Sequence, residues 1–282
     1  MFNYTIKYTA ENTYENPVFE AYWQYLVTPL TDDTQELISS EFNASASCVF
    51  EKSINGYDFE TIRIRNKKAV DALNFEAVFK VIKAEVGPIE FDSSIKFEET
   101  YNALSDLSFT VDFEAYLYPT EFTQLKEEPF DLFMFEPSKN IIDNLKALNS
   151  WVHHYITFKS NETYQNTLLK DVVKNKAGDS PDFAHLFLAI ARKNKLPGRF
   201  VTGYLHQGNN FFGDTQMHAW VEVYVPNSGW IGFDPSNNLF ANHNHVKVAH
   251  GIDYKDCAPF KSFLFASGDK KIKHAVEVTY DQ

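Results

Sequence analysis

Gly178-Asp179-Ser180-Pro181-Asp182-Phe183-Ala184-His185-Leu186-Phe187-Leu188-Ala189-Ile190-Ala191 is the stretch that decides how this chain folds. From Phe183 to Ala191 the residues are apolar on nearly every side, as in a helix buried on most of its faces. Ser-Pro-Asp ahead of them is a helix start. The Ser180 hydroxyl caps a free N–H, Pro181 fills the first turn at no hydrogen-bond cost, and the Asp182 carboxylate complements the dipole. Leu196-Pro197-Gly198 closes the helix, and three extended segments follow: Arg199 to Leu205, His218 to Val225, and Trp230 to Phe233. Pro226-Asn227-Ser228-Gly229 turns the chain between the last two. One buried helix followed by an antiparallel sheet predicts an α+β domain.

Upstream the pattern changes period. Tyr4 to Tyr8, Ala21 to Val27, Cys48 to Lys52, Phe59 to Ile64 and Phe75 to Val86 alternate in twos or are rich in β-branched and aromatic residues, which predicts strands. Asn55-Gly56 signals a two-residue hairpin, because both central positions of a type I′ turn need positive φ. An N-terminal β-sandwich over residues 1–86 is the economical reading. Residues 87–137, punctuated by Pro88, Pro119, Pro129 and Pro137, read as a packed connector. Residues 138–282 form the second domain, opened by a helix with Ser138 as cap and the stripe Ile141, Leu145, Leu148, Val152 and Tyr155. His153 and His154 at its end suit the dipole as surface or capping residues.

The 282 residues carry 26 Lys and Arg against 38 Asp and Glu, a net charge of -12, so the basic field that phosphate backbones require is missing and nucleic acid is not an expected partner. The first residues lack a basic stretch followed by an apolar run, and no segment of about 18 apolar residues occurs. A protein with neither signal peptide nor membrane span is therefore expected. Two cysteines, Cys48 and Cys257, are too few for a disulfide framework and suit a reducing cytoplasm, with a single bridge between them the open alternative.

Three groups in the second domain suggest chemistry: a hydroxyl at the helix start (Ser180), a histidine opening a strand (His218), and an aspartate closing the next (Asp234). They are a possible nucleophile, base and orienting acid. Side chains alternate along strands, so an even hairpin loop would point His218 and Asp234 to opposite faces. A three-residue loop, Pro226 to Ser228 with Gly229 as a left-handed bulge residue, puts both on one face, with Asp234 opposite Trp220 and diagonal to His218, about 7–8 Å between backbones. The pairing thus requires an odd loop. The commoner role of a Ser-Pro-Asp hydroxyl is capping, and His185 reads as a satisfied core histidine. Cys257 lies in a loop without a helix start, an inert position. His243, His245 and His250 match no zinc spacing and read as a solvated loop; no metal ligand set, calcium loop or cofactor motif is found.

Asp182 to Leu186, Leu196 to Tyr204, His218 to Tyr224, Gly229 to Asn237, and Gly251-Ile252-Asp253-Tyr254-Lys255-Asp256 occur in the order and spacing of one family. They resemble the core of the transglutaminase-like superfamily, in particular the bacterial proteins described as transglutaminase-like cysteine proteases. The resemblance implies a papain-like core beside a β domain, acyl transfer on an amide of a peptide or protein, and a nucleophile, His and Asp at positions 180, 218 and 234. It also implies a helix-start cysteine held as a thiolate, where this chain has Ser180 followed by Pro181. A serine hydroxyl is not stored as an anion. An introduced Cys-to-Ser change, a noncatalytic peptide-binding relative and a natural serine variant are the open readings, and the Ser-Pro cap chemistry favours a natural substitution.

Overall fold

A computed structural model describes residues 1–45, 48–86, 97–125, 132–159, 167–206, 216–265 and 268–281. The N-terminal part is organised by one strand of 24 residues, β1 (Phe2–Tyr25), where the sequence pattern suggested two separate strands. The first half of β1 lies between β5 (Val70–Lys83) and the C-terminal β14 (Lys270–Asp281), with β2 (Gln35–Ala44) beyond β5. Its second half lies between β4 (Glu60–Asn66) and β13 (Phe260–Phe265), with β3 (Val49–Ile54) beyond β4. Both register breaks in β1 fall between Thr13 and Tyr22, where the strand passes from one half of the sheet to the other. The halves face each other across an aromatic interior. Tyr25 stacks on Phe75 at 4.1 Å, Asn12 donates to the Tyr25 hydroxyl at 3.0 Å, and Trp23 donates to that of Tyr14 at 2.7 Å. Strand β2 gave no signal because most of its residues are outside the core.

Two details correct the sequence reading here. The hairpin between β3 and β4 is not a two-residue turn: residues 55–59 form the loop, positive φ falls at Asp58, and Asn55 Oδ1 takes the N–H groups of Tyr57 and Phe59. Moreover, β13 and β14 return to the first sheet, so the two layers do not follow a linear division of the chain. Among its described residues the connector holds three short helices, α1 (Phe97–Ala103), α2 (Leu107–Asp112) and α3 (Glu114–Leu117), too brief for an amphipathic period to be read.

In the second layer α4 (Ile141–Tyr155) is capped by Asn140, whose Oδ1 accepts the Asp143 N–H at 2.7 Å; Ser138 lies outside the cap. After α4, β6 (Thr157–Phe158), α5 (Leu169–Asn175) and β7 (Ala177–Gly178) lead into α6 (Ser180–Lys193). The parallel β6–β7 pair fixes the approach to the start of α6. Helix α6 packs on an antiparallel sheet ordered β11-β10-β9-β8-β12: β8 (Gly198–Leu205), β9 (His218–Val225), β10 (Gly229–Asp234), β11 (Leu239–Phe240) and β12 (His245–Gly251). Phe187 meets Phe233 at 5.4 Å across this interface. The short α7 (Tyr254–Cys257) follows β12.

Arg192 ties these pieces together from the buried end of α6, donating to Thr123 Oγ1, Gly198 O and Ile252 O. Burial lowers its pKa to about 10, with Asp253 partly offsetting the effect. Gly203 is required where β8 meets β12 and Trp220: a Cβ there would sit 2.1 Å from the Val246 carbonyl oxygen and 2.7 Å from the Trp220 ring. No helix among the described residues is long and apolar enough to cross a membrane.

Candidate active site

The β9–β10 hairpin has the odd loop that the pairing required. Gly229 pairs with Val225 and Phe233 with Val221, leaving Pro226 to Ser228 as the loop, with positive φ at Asn227 and Gly229. His218 and Asp234 therefore share a face, and His218 Nε2 lies 2.8 Å from Asp234 Oδ2. Both side chains are fully buried.

The start of α6 differs from the expectation in a way that bears on Ser180. Asp179, not Ser180, takes the N-cap position, and the Asp182 carboxylate folds back to accept the Asp179 N–H at 3.0 Å. Gly178 makes room for this, since a Cβ there would lie 2.5 Å from Asp182 Oδ2. Relieved of capping, Ser180 occupies the first position of the helix and its Oγ accepts the Ala219 main-chain N–H at 3.2 Å. That bond brings the hydroxyl to the residue beside His218. The structure thus gathers the start of α6, the start of β9 and the end of β10 at one place.

Asp234 is the most heavily bonded group in the site. Its Oδ1 accepts from Ser236 N–H, Ser236 Oγ and Asn237 N–H, and its Oδ2 from His218, His245 and the Asn237 side-chain amide. Burial alone would raise its pKa, but the charge and hydrogen bond of His218, with help from His245, hold it well below the usual carboxylate range. An anion at Asp234 fixes the imidazole: His218 donates from Nε2, and its buried Nδ1 has no protein partner among the described residues. His153 reinforces the same turn, with Nδ1 3.1 Å from Ser236 O and 3.3 Å from Pro235 O, so it ties α4 to the end of β10 instead of standing at the surface.

His245 is a site residue that the sequence reading missed. The sequence pattern reads as a solvated loop, yet His245 opens β12, is buried, and lies with Nε2 3.2 Å from Asp234 Oδ2. Pairing with Leu205 puts it on the face that carries His218, and only knowledge of the strand order could have shown this. His250, on the same strand, does not join it; its ring packs against Phe59. His243 stacks on Phe2.

His218, Asp234 and His245 offer ligand atoms within 4.8 Å of one another, close enough for a divalent transition metal. The hydrogen bonds favour protons over a metal. His245 Nε2 faces the Asp234 carboxylate, which only accepts, and this puts the ring proton on Nε2, while Nδ1 lies 3.1 Å from the Asn242 main-chain nitrogen and 3.2 Å from Asn242 Oδ1. A metal would displace this proton and that of His218 Nε2.

Two other candidates prove structural. His185 is buried, stacked on Phe122 and accepting the Tyr254 N–H, and burial pushes its pKa down to about 3, with Arg192 adding to the shift. Cys257 is buried, its thiol directed at Phe200 O and its pKa raised well above the ordinary value by burial, so it is no displaced nucleophile.

Residues 134–235 match the profile of the transglutaminase-like superfamily. The chain is 27% identical over 183 residues to the uncharacterized protein Rv2569c of Mycobacterium tuberculosis, a match covering 62% of this chain and 57% of that protein. It is 28% identical over 189 residues to the uncharacterized protein ML0607 of Mycobacterium leprae, covering 64% and 66%. The match thus spans little more than half the length of the Mycobacterium tuberculosis relative. A crystal structure from Cytophaga hutchinsonii described as a "putative cysteine protease" superposes with a TM-score of 0.75 at 20% identity, covering 99% of this chain and 90% of that one, a likeness of fold.

Proposed function

We propose that this chain, whose residues 134–235 match the transglutaminase-like superfamily, performs acyl transfer on peptide or protein amides with Ser180 as nucleophile, His218 as base and Asp234 as orienting acid. The observation that carries the proposal is the direction of the His218 ring. Nε2–H is committed to Asp234, so a neutral imidazole has its lone pair on Nδ1, the nitrogen without a partner among the described residues.

In this reading the Ser180 hydroxyl gives its proton to His218 Nδ1 as Oγ attacks the amide carbonyl. Asp234 stabilises the imidazolium that forms, and the main-chain N–H of Ser180 at the helix start faces the developing oxyanion. Collapse of the tetrahedral intermediate breaks the C–N bond, and the departing amine takes the proton from His218. The acyl group on Ser180 then passes to water or to a second amine by the same proton route. Serine fits this route better than an ion pair, because general-base removal of the proton needs no stored anion.

A second reading is a noncatalytic module that keeps the cleft for peptide recognition, favoured by Ser180 in the position of a thiolate and by Pro181, which removes an N–H from the first turn. A peptide mixture incubated with the protein and a primary amine, analysed by mass spectrometry, separates the two. New termini or new amide-linked amine, abolished in His218→Ala, are expected. Unchanged peptides that nevertheless bind the protein would support the recognition module.

A further inference from the structure

Residues 242–247 are gripped from two sides. On the outer side the N-terminal sheet holds them at several points. Phe2 stacks on His243 at 4.0 Å with the rings 7° from parallel, and the Tyr4 hydroxyl donates to Asn244 Oδ1 at 3.3 Å. Gln35 engages Lys247 as a neighbouring strand would: its Oε1 accepts the Lys247 N–H at 2.8 Å and its Nε2 donates to Lys247 O at 2.8 Å. Lys247 O also accepts the Leu30 N–H. Strand β12 is the edge of the core sheet, so these contacts stand where a further strand would pair. Lys247 itself reaches Glu222 on the core side. Between these anchors His245 reaches the Asp234 oxygen that also receives His218.

We propose that His245 is a positioning residue for the acyl-transfer site, and that the N-terminal sheet sets its place through β12. The proposal rests on the reading of Ser180, His218 and Asp234 given above. Two imidazole N–H groups and the Asn237 amide converge on Oδ2, so the carboxylate is fixed from three directions and the His218 ring inherits that fixed orientation. His245 suits the task as a neutral donor. Burial lowers its pKa even against the pull of Asp234, and the Asp234 carboxylate draws the ring proton to Nε2. The N-terminal sheet thus acts on the site through β12.

The test uses His245→Phe, which fills the space without a donor, His245→Gln, which keeps one, and Gln35→Leu, which releases β12 from outside the site. The primary readout is the imidazole N–H signal of His218 in proton–nitrogen NMR of the full chain with Ser180 in place. The signal should stay sharp and slowly exchanging in His245→Gln. It should exchange about tenfold faster in His245→Phe and in Gln35→Leu, the order of effect that one hydrogen bond to a charged group carries. A merely structural role would lower thermal stability and leave this signal alone. An unchanged His218 signal in folded His245→Phe overturns the proposal; if that variant does not fold, an unchanged signal in Gln35→Leu does so. In parallel, on a Ser180→Cys background, His245→Phe should slow thiol alkylation about tenfold and His245→Gln should restore it. An inert thiol with His245 intact would defeat the acyl-transfer reading, while the NMR experiment still decides the role of His245.

Discussion

Replacing Ser180 by cysteine asks whether the surroundings of position 180 activate a nucleophile. The structure supplies three stabilising influences on a thiolate there. The Ala219 N–H, now 3.2 Å from Oγ, would donate to the anion, a charged hydrogen bond of about 1.5–3 kcal/mol. The first position of a helix contributes about 0.3–1 kcal/mol. An imidazolium at His218, held by Asp234, lowers a neighbouring pKa by about 1–3 units. Burial opposes all three, since Ser180 is only 5% exposed. The net expectation is a fall of about 2–3 units from the free-thiol value near 8.5, which places half-maximal alkylation near pH 6. Iodoacetamide rates from pH 4 to 9, read by mass spectrometry at each site, separate this thiol from partly exposed Cys48 and buried Cys257. Adding His218→Ala should move the half-point to about 8, because the largest influence is gone. A half-point near 8.5 in both proteins would refute the reasoning.

Other expectations follow from the same geometry. Asp234→Asn leaves an amide that must turn an N–H toward His218 or toward the Ser236 and Asn237 N–H groups, so acyl transfer should fall by about three to four orders of magnitude in steady-state assays with little change in fold. Gly203→Ala should cost about 3 kcal/mol in denaturant unfolding, because the obstructing atom is a backbone carbonyl that cannot rotate away. For pH, the folded pKa of His185 is about 3 against about 6.5 when unfolded, so the unfolded chain binds a proton that the folded one refuses. His185 alone should withdraw roughly 2 kcal/mol of stability by pH 5, with His250 and His274, both lowered to about 4 by burial, adding to the loss, so His185→Gln should reduce the slope of that part of the curve in urea titrations without removing it. Asp234, depressed when folded, adds a loss that begins only below about pH 4.

Local chemistry made much of this legible in the sequence. The apolar run from Phe183 to Ala191 gave α6, and the period of two with a Pro-Asn-Ser-Gly turn gave the β9–β10 hairpin, whose register made the His218–Asp234 contact feasible on the condition of an odd loop. Features that depend on distant pairing stayed hidden. Strands β13 and β14 belong to the first sheet because β1 is long enough to accept them on its free side, a choice no local pattern records. His245 looked like a loop histidine because its partner lies on β10 and its strand is an edge strand. Competition among neighbouring polar residues moved both caps: Asn140 replaced Ser138, and Asp179 took the role read for Ser180. The second of these shifts leaves the Ser180 hydroxyl outside the capping role.

The most direct test of Ser180 as a nucleophile is labelling of the unaltered protein by a fluorophosphonate, with the adduct mapped by peptide mass spectrometry. The expected result is one phosphonyl group on Ser180, lost in His218→Ala. A folded protein that stays unlabelled at Ser180 would contradict the account and leave the cleft as a recognition site.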